Sequence, residues 1–401
     1  MKDSWRSRSA AALVAAWLVA ACAPVAPPAS PASPALPAAS ARWIAARVDQ
    51  PAAIEAAPTD APGFCSPCHP VIGTYIDSLV PFRSRFLALG YDEPPAHAAA
   101  WSSADAMAWH RVTSLPAPDG SSISAAVATG GASILAVGGS GGAGAVWHSD
   151  DGAAWTLTSL PAPPAGATEL MTAVAAAGGG YVAGGYDESA TAQKTATFWR
   201  SVDGVTWVRA TAQLPAGASE VTGIVVVNPA SLVAVGISGD ERRGSTAVWR
   251  STDGGASWQS VTSPAFASGR MLAVAASGTG VAAVGERWDQ TGAAAWFSSD
   301  GSAWVSSSGT GLDNVGLQMV MTAVAVDGSG FVAAGWRTDA GNGSAVVWRS
   351  TDGKVWTHLP QDVSFSGAGL ASVLASPRLL VGGTMGWPDT HAAQVWVGPG
   401  G

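Results

Sequence analysis

Across most of this chain short apolar runs are broken by glycine near every tenth residue. Met171 to Ala175 and Tyr181 to Gly184 are two such runs. Runs this short, with turn residues between them, predict β-strands and tight turns rather than helices.

The pattern repeats. Five segments share one form: Trp147-His-Ser-Asp-Asp151-Gly-Ala-Ala-Trp155, Trp199-Arg-Ser-Val-Asp203-Gly-Val-Thr-Trp207, Trp249-Arg-Ser-Thr-Asp253-Gly-Gly-Ala-Ser-Trp258, Trp296-Phe-Ser-Ser-Asp300-Gly-Ser-Ala-Trp304 and Trp348-Arg-Ser-Thr-Asp352-Gly-Lys-Val-Trp356. A sixth, Trp101-Ser-Ser-Ala-Asp105-Ala-Met-Ala-Trp109, has Ala106 where the others have glycine. Successive first tryptophans lie 46, 52, 50, 47 and 52 residues apart, and another 48 residues reach Trp396. Two β-type runs precede each tryptophan pair. Four strands in roughly 50 residues is the size of a propeller blade. In blade order A-B-C-D the first tryptophan sits on C, the second on D, and an Asp turn joins them.

In these turns Asp105, Asp151, Asp203, Asp253, Asp300 and Asp352 have a structural reading: the carboxylate accepts backbone N–H groups, glycine supplies a positive φ, and tryptophan packs across the turn. The turns resemble the Asp boxes (BNR repeats) of sialidase-like propellers, a Ser-x-Asp-x-Gly-x-x-Trp hairpin whose full spacing only the Trp249 unit has. The resemblance covers about 360 residues. It implies a propeller fold and extends to non-enzymatic members such as photosystem II assembly factors and sortilin-type receptors, which bind proteins or peptides.

Trp396 has no D-strand partner downstream, and Trp43 is the matching orphan. Ser40-Ala-Arg-Trp43-Ile-Ala-Ala-Arg-Val48 reads like the D strands around Trp109 and Trp207. Residues 41–48 are therefore expected to complete the last blade and close the ring, removing two exposed sheet edges. The count is seven four-stranded antiparallel blades. Six is the alternative if residues 41–95 lie outside the ring.

Composition adds an address. Lys2, Arg6 and Arg8 precede an apolar run from Ala10 to Ala21, too short to span a bilayer, that ends Leu18-Val19-Ala20-Ala21-Cys22. This resembles a bacterial lipoprotein signal, implying cleavage before Cys22, a lipid on its sulfur and a stable membrane anchor. The organisation is then a signal at 1–21, an Ala/Pro/Ser tether at 22–40 and a propeller at 41–401, lipid-anchored on the extracytoplasmic side. Charged residues are only 12% of the chain and the formal net charge is −8, with no basic block. Nucleic acid is thereby disfavoured as a partner. A monomer is expected.

From Trp43 to Trp109 the interval is 66 residues, longer than elsewhere, which marks a loop insertion at about 50–74. It contains Cys65-Ser-Pro-Cys68-His69. Three readings stay open there: a Cys65–Cys68 disulfide, the leading one in an exported protein; a haem c attachment site with His69 axial and His97, Met385 or His391 as second ligand; and a Cys/Cys/His metal site. No cofactor is expected under the first.

The B–C loops, on the face of the insertion, carry carboxylates and aromatics at similar stations. Tyr91, Asp92, Tyr186, Asp187, Glu286, Trp288, Trp336, Asp339, Trp387 and Asp389 are the candidate ligand rim, against an ordinary solvated loop edge. The sialidase Arg-Ile-Pro motif is absent, and none of the four tyrosines pairs with an arginine cluster. The expectation is a protein- or glycan-binding scaffold without catalysis. A sialidase-like glycoside hydrolase and a haem-bearing electron carrier are the alternatives.

Overall fold

The computed structural model describes residues 42–51 and 73–399, apart from short gaps at 130–131, 162, 164–165, 216, 218, 240–243, 267–268, 289–291, 311, 313–317, 340–341, 376 and 387–390. Among these residues the chain is all-β, with two single-turn 3₁₀ segments, Pro264–Phe266 and Val363–Phe365. Seven sheets of antiparallel hairpins form the blades of a propeller. Blade one runs from strand A (Gly73–Phe82) through B (Arg85–Glu93) and C (His97–Ser103) to D (Ala108–Arg111). The A strands of blades two to seven are Ser121–Thr129, Thr168–Ala177, Ser219–Asn228, Gly269–Ser277, Gln318–Asp327 and Ala368–Leu374. They pack side by side around the centre.

Every A strand carries a β-bulge. Asp77, Ser124, Thr172, Thr222, Leu272, Thr322 and Ala371 are each skipped in the register with strand B. The bulge tips a backbone carbonyl of strand A against strand B, and strand B answers with glycine at Gly90, Gly138, Gly185, Gly236, Gly285, Gly335 and Gly383. A Cβ on Gly236 would lie 1.9 Å from the Glu220 carbonyl oxygen. The recurring glycine seen in the sequence is thus partly a demand of the bulge. Threonine at the bulge also joins blades. Thr222 Oγ1 donates to Val235 O in its own blade at 3.2 Å and to Met271 O in the next at 2.7 Å. Thr172 and Thr322 do the same.

The first tryptophan of each pair is buried between blades, and several pin the incoming connector. Trp147 Nε1 donates to Pro116 O, Trp296 Nε1 to Ala265 O and Trp101 Nε1 to Asp49 O. The second closes the Asp turn, as where Trp304 Nε1 donates to Gly301 O. In the turn at Asp203 the carboxylate accepts the N–H groups of Val205 and Thr206 at 2.9 and 2.7 Å, while Ser201 Oγ accepts Gly204 N–H. The turn at Asp105 keeps this geometry although Ala106 must adopt a φ of 65°.

Ile44–Ala45 pairs antiparallel with Ala392–Val397, Ala45 opposite Trp396, and completes blade seven. Trp43 is buried 5.1 Å from Phe365, which meets Trp396 edge-on at 5.7 Å. Residues 41–48 are not one strand, however. After Ala46 the chain changes partner, and Arg47–Val48 runs parallel to strand D of blade one. Arg47 N–H donates to Met107 O, and Asp49 N–H to Trp109 O. The crossing connector satisfies its backbone on the next blade as it passes. Thr211–Ala212 does likewise beside Ser257–Val261, so the split belongs to the repeat.

Candidate ligand site at the loop face

B strands end, and A strands begin, on the face of the B–C loops and D–A connectors. There, where blades six, seven and one meet, lies a cavity of about 230 Å³. Its polar and aromatic lining comes from Tyr75 and Asp77 of blade one, Thr322, Trp336 and Thr338 of blade six, and Thr384 and His391 of blade seven. Among the described residues that line it, none is lysine or arginine.

Local folding fixes these groups. The bulge leaves Asp77 out of register with strand B, and the residue lines the cavity. Tyr75 stacks on Tyr91, with ring centroids 4.8 Å apart. His391 stands perpendicular to Tyr75, and its Nδ1 lies 2.7 Å from the phenol oxygen in a hydrogen bond. Thr74 N–H donates to His391 O at 2.7 Å, locking blade one to blade seven beside the cavity.

Electrostatics leave one charge-bearing group. Burial holds the His391 imidazole below its ordinary range. Burial, then the fields of Glu93 and Asp77, raise Tyr75, and burial with the same carboxylates raises Tyr91. Both phenols and the imidazole are therefore neutral near pH 7. Burial, followed by repulsion from Glu93, pushes Asp77 up to about 7. Its carboxyl thus changes charge near neutrality.

The residues expected on the rim have varied surroundings. Tyr91 lies under Tyr75. Asp92 is bound by Arg111 and by the Thr74 hydroxyl. Asp187 and the buried Glu169 share Arg209. Glu286, raised by burial, accepts from Arg270, whose guanidinium lies over Trp288. Trp288 donates its own N–H to Gly244 O. Tyr186 lies beneath the Lys194 ammonium. Asp339 ends strand B of blade six opposite Asn342. Of those whose side chains are described, only Trp336 lines the cavity. Trp387 and Asp389 lie outside the described residues, as do Cys22, Cys65, Cys68 and His69. The other haem-ligand candidates have local roles: His97 Nε2 lies 2.8 Å from Asp119 Oδ1, and Met385 is half-buried against blade seven. Among the described residues no group of three or more His, Cys, Asp or Glu side chains could hold a metal ion.

Sequence reasoning singled out neither Asp77 nor the Tyr75–His391 pair as a site. The legible signal is the bulge itself. With the A strands aligned on it, Asp77 is the one ionisable residue among Ser124, Thr172, Thr222, Leu272, Thr322 and Ala371.

Residues 97–283 match the family described as the DUF6242 beta propeller domain. No curated protein matches the chain. Among solved structures, the GH74 xyloglucanase from Xanthomonas campestris has a TM-score of 0.53 at 18% identity, covering 81% of this chain and 55% of its own. The GH74 enzyme of Niastella koreensis has a TM-score of 0.53 at 13% identity, with 80% and 54% coverage. A PL25 ulvan lyase bound to -[GlcA(1-4)Rha3S]- has a TM-score of 0.52 at 10% identity, with 82% and 94% coverage. The chain spans about half the length of the two GH74 structures. At these identities the likeness is one of fold.

Proposed function

We propose that this protein is a lipid-anchored, extracytoplasmic propeller that binds a group presented by a protein or glycan in the cavity between blades six, seven and one. The lining of that cavity carries the reading: a carboxyl, a Tyr–His pair and an indole surround one space of about 230 Å³ on the loop face. Anchoring is argued from the charged start, the short apolar run and the Leu18-to-Cys22 ending. Trp336→Ala should weaken any ligand found by glycan or peptide arrays about tenfold or more, because truncating an aromatic anchor in a binding pocket costs about 2 kcal/mol or more. Ligands that bind this variant as tightly as the parent would contradict the assignment. Cys22→Ser should release the protein from the membrane fraction, and retention there would count against the anchor.

A second reading, glycoside hydrolysis, is favoured by one observation: the Asp77 carboxyl is raised to about 7 beside Glu93. A protonated acid near a second carboxylate is what such chemistry needs. Turnover of aryl glycosides that vanishes in Asp77→Asn would support it. No turnover by the parent protein would leave the binding reading alone.

A further inference from the structure

Four times among the described residues the same triad of carboxylate, cation and aromatic ring recurs. Arg111 binds Asp92 with its guanidinium carbon 4.8 Å from the Trp101 ring centre. Arg209 binds Asp187 and Glu169 over Trp199, at 5.6 Å. Lys194 binds Glu220 over Tyr186, at 4.5 Å. Arg270 binds Glu286 over Trp288, at 5.4 Å. In each, a buried or half-buried carboxylate is neutralised by a cation that also rests on a ring face.

The cavity holds two parts of that triad. It has the Asp77 carboxyl and the rings of Tyr75 and Trp336, yet no ion pair joins Asp77 to any described lysine or arginine. Its register position is where Thr172, Thr222 and Thr322 donate to two backbone carbonyls, a task an ionised carboxylate cannot perform. A carboxylate in apolar surroundings without a counter-charge is costly, and a cation relieves that cost more fully than a hydroxyl does. We propose that the cavity binds a small organic cation, an aliphatic ammonium group paired with Asp77 and laid against Trp336 and Tyr75. This rests on the binding reading above and names the chemistry it selects.

The groups that face Asp77 fix the pH dependence. Glu93 and Tyr91 stand on the neighbouring strand, Tyr75 on its own, and His391 comes from blade seven; the hydroxyls of Thr322, Thr338 and Thr384 complete the wall. Lower pH neutralises Asp77 and charges His391, and both changes disfavour a cation.

Isothermal titration of the full chain with butylammonium, 1-pentanol and methyl β-glucoside tests this. Butylammonium should bind at pH 8, at least tenfold more weakly at pH 5, and more tightly than either neutral probe. Asp77→Thr installs the residue three other blades carry, so it should melt at least as high as the parent while binding butylammonium tenfold or more weakly. Equal butylammonium binding by parent and Asp77→Thr would overturn the inference. Glucoside binding tighter than butylammonium would overturn it and leave the cavity reading standing. Binding of none of the three probes would overturn both.

Discussion

Two kinds of aspartate in this protein oppose each other. Backbone N–H groups of Thr206 and Val205 hold Asp203 down at about 2, and the Ser302 hydroxyl and N–H do the same for Asp300. A carboxyl depressed by folding stabilises above its ordinary pKa of 3.8, and that contribution is lost as pH falls toward 2. Asp77 has the reverse sign. Its folded value near 7 means folding favours the protonated form, so stability declines as pH rises from about 4 to 7 and then levels. Denaturant titrations should therefore show the Asp77 contribution falling away between about pH 4 and 7, opposed in part by His391, whose lowered pKa adds stability as pH rises toward 6.5. Asp77→Asn should lose the Asp77 part of the decline between pH 4 and 7, leaving the smaller share of Glu286 and Glu169, while keeping the fall on the acid side. A stability difference between parent and Asp77→Asn that is the same at pH 4.5 and 7.5 would refute the burial argument for Asp77.

At the scale of elements, the bulge and the Asp turn are the repeated devices. Gly236→Ala forces a methyl against a backbone carbonyl 1.9 Å away and should cost roughly 3 kcal/mol by chemical denaturation. Ser201→Ala strips the buried Gly204 N–H of its acceptor and should cost about 1–2 kcal/mol. The turns were legible in the sequence because every atom of their logic lies within nine or ten residues. The bulges were not, because a bulge is a relation between two strands, and the glycine it requires sits on the partner. That is why nothing in the sequence sets Asp77 apart from its strand neighbours. The rim read as open carboxylates for the same reason: Arg111 and Arg209, which bind Asp92 and Asp187, lie on strand D, two strands away.

For the whole molecule, seven tryptophan pairs gave the blade count, because each pair is one blade's C and D strands. What spacing alone could not show is the change of partner at Ala46, since both neighbours of that segment lie elsewhere in the chain. The closure matters beyond stability. The cavity is built across the seam, with Tyr75 and Asp77 from the first blade and Thr384 and His391 from the last. Thermal melting of a chain lacking residues 42–48 tests this account most directly. Removing them unpairs strand C of blade seven and uncovers Phe365, so the transition should broaden and fall by many degrees. A single sharp transition at the parent's temperature would contradict the closed ring and the site assembled on its seam.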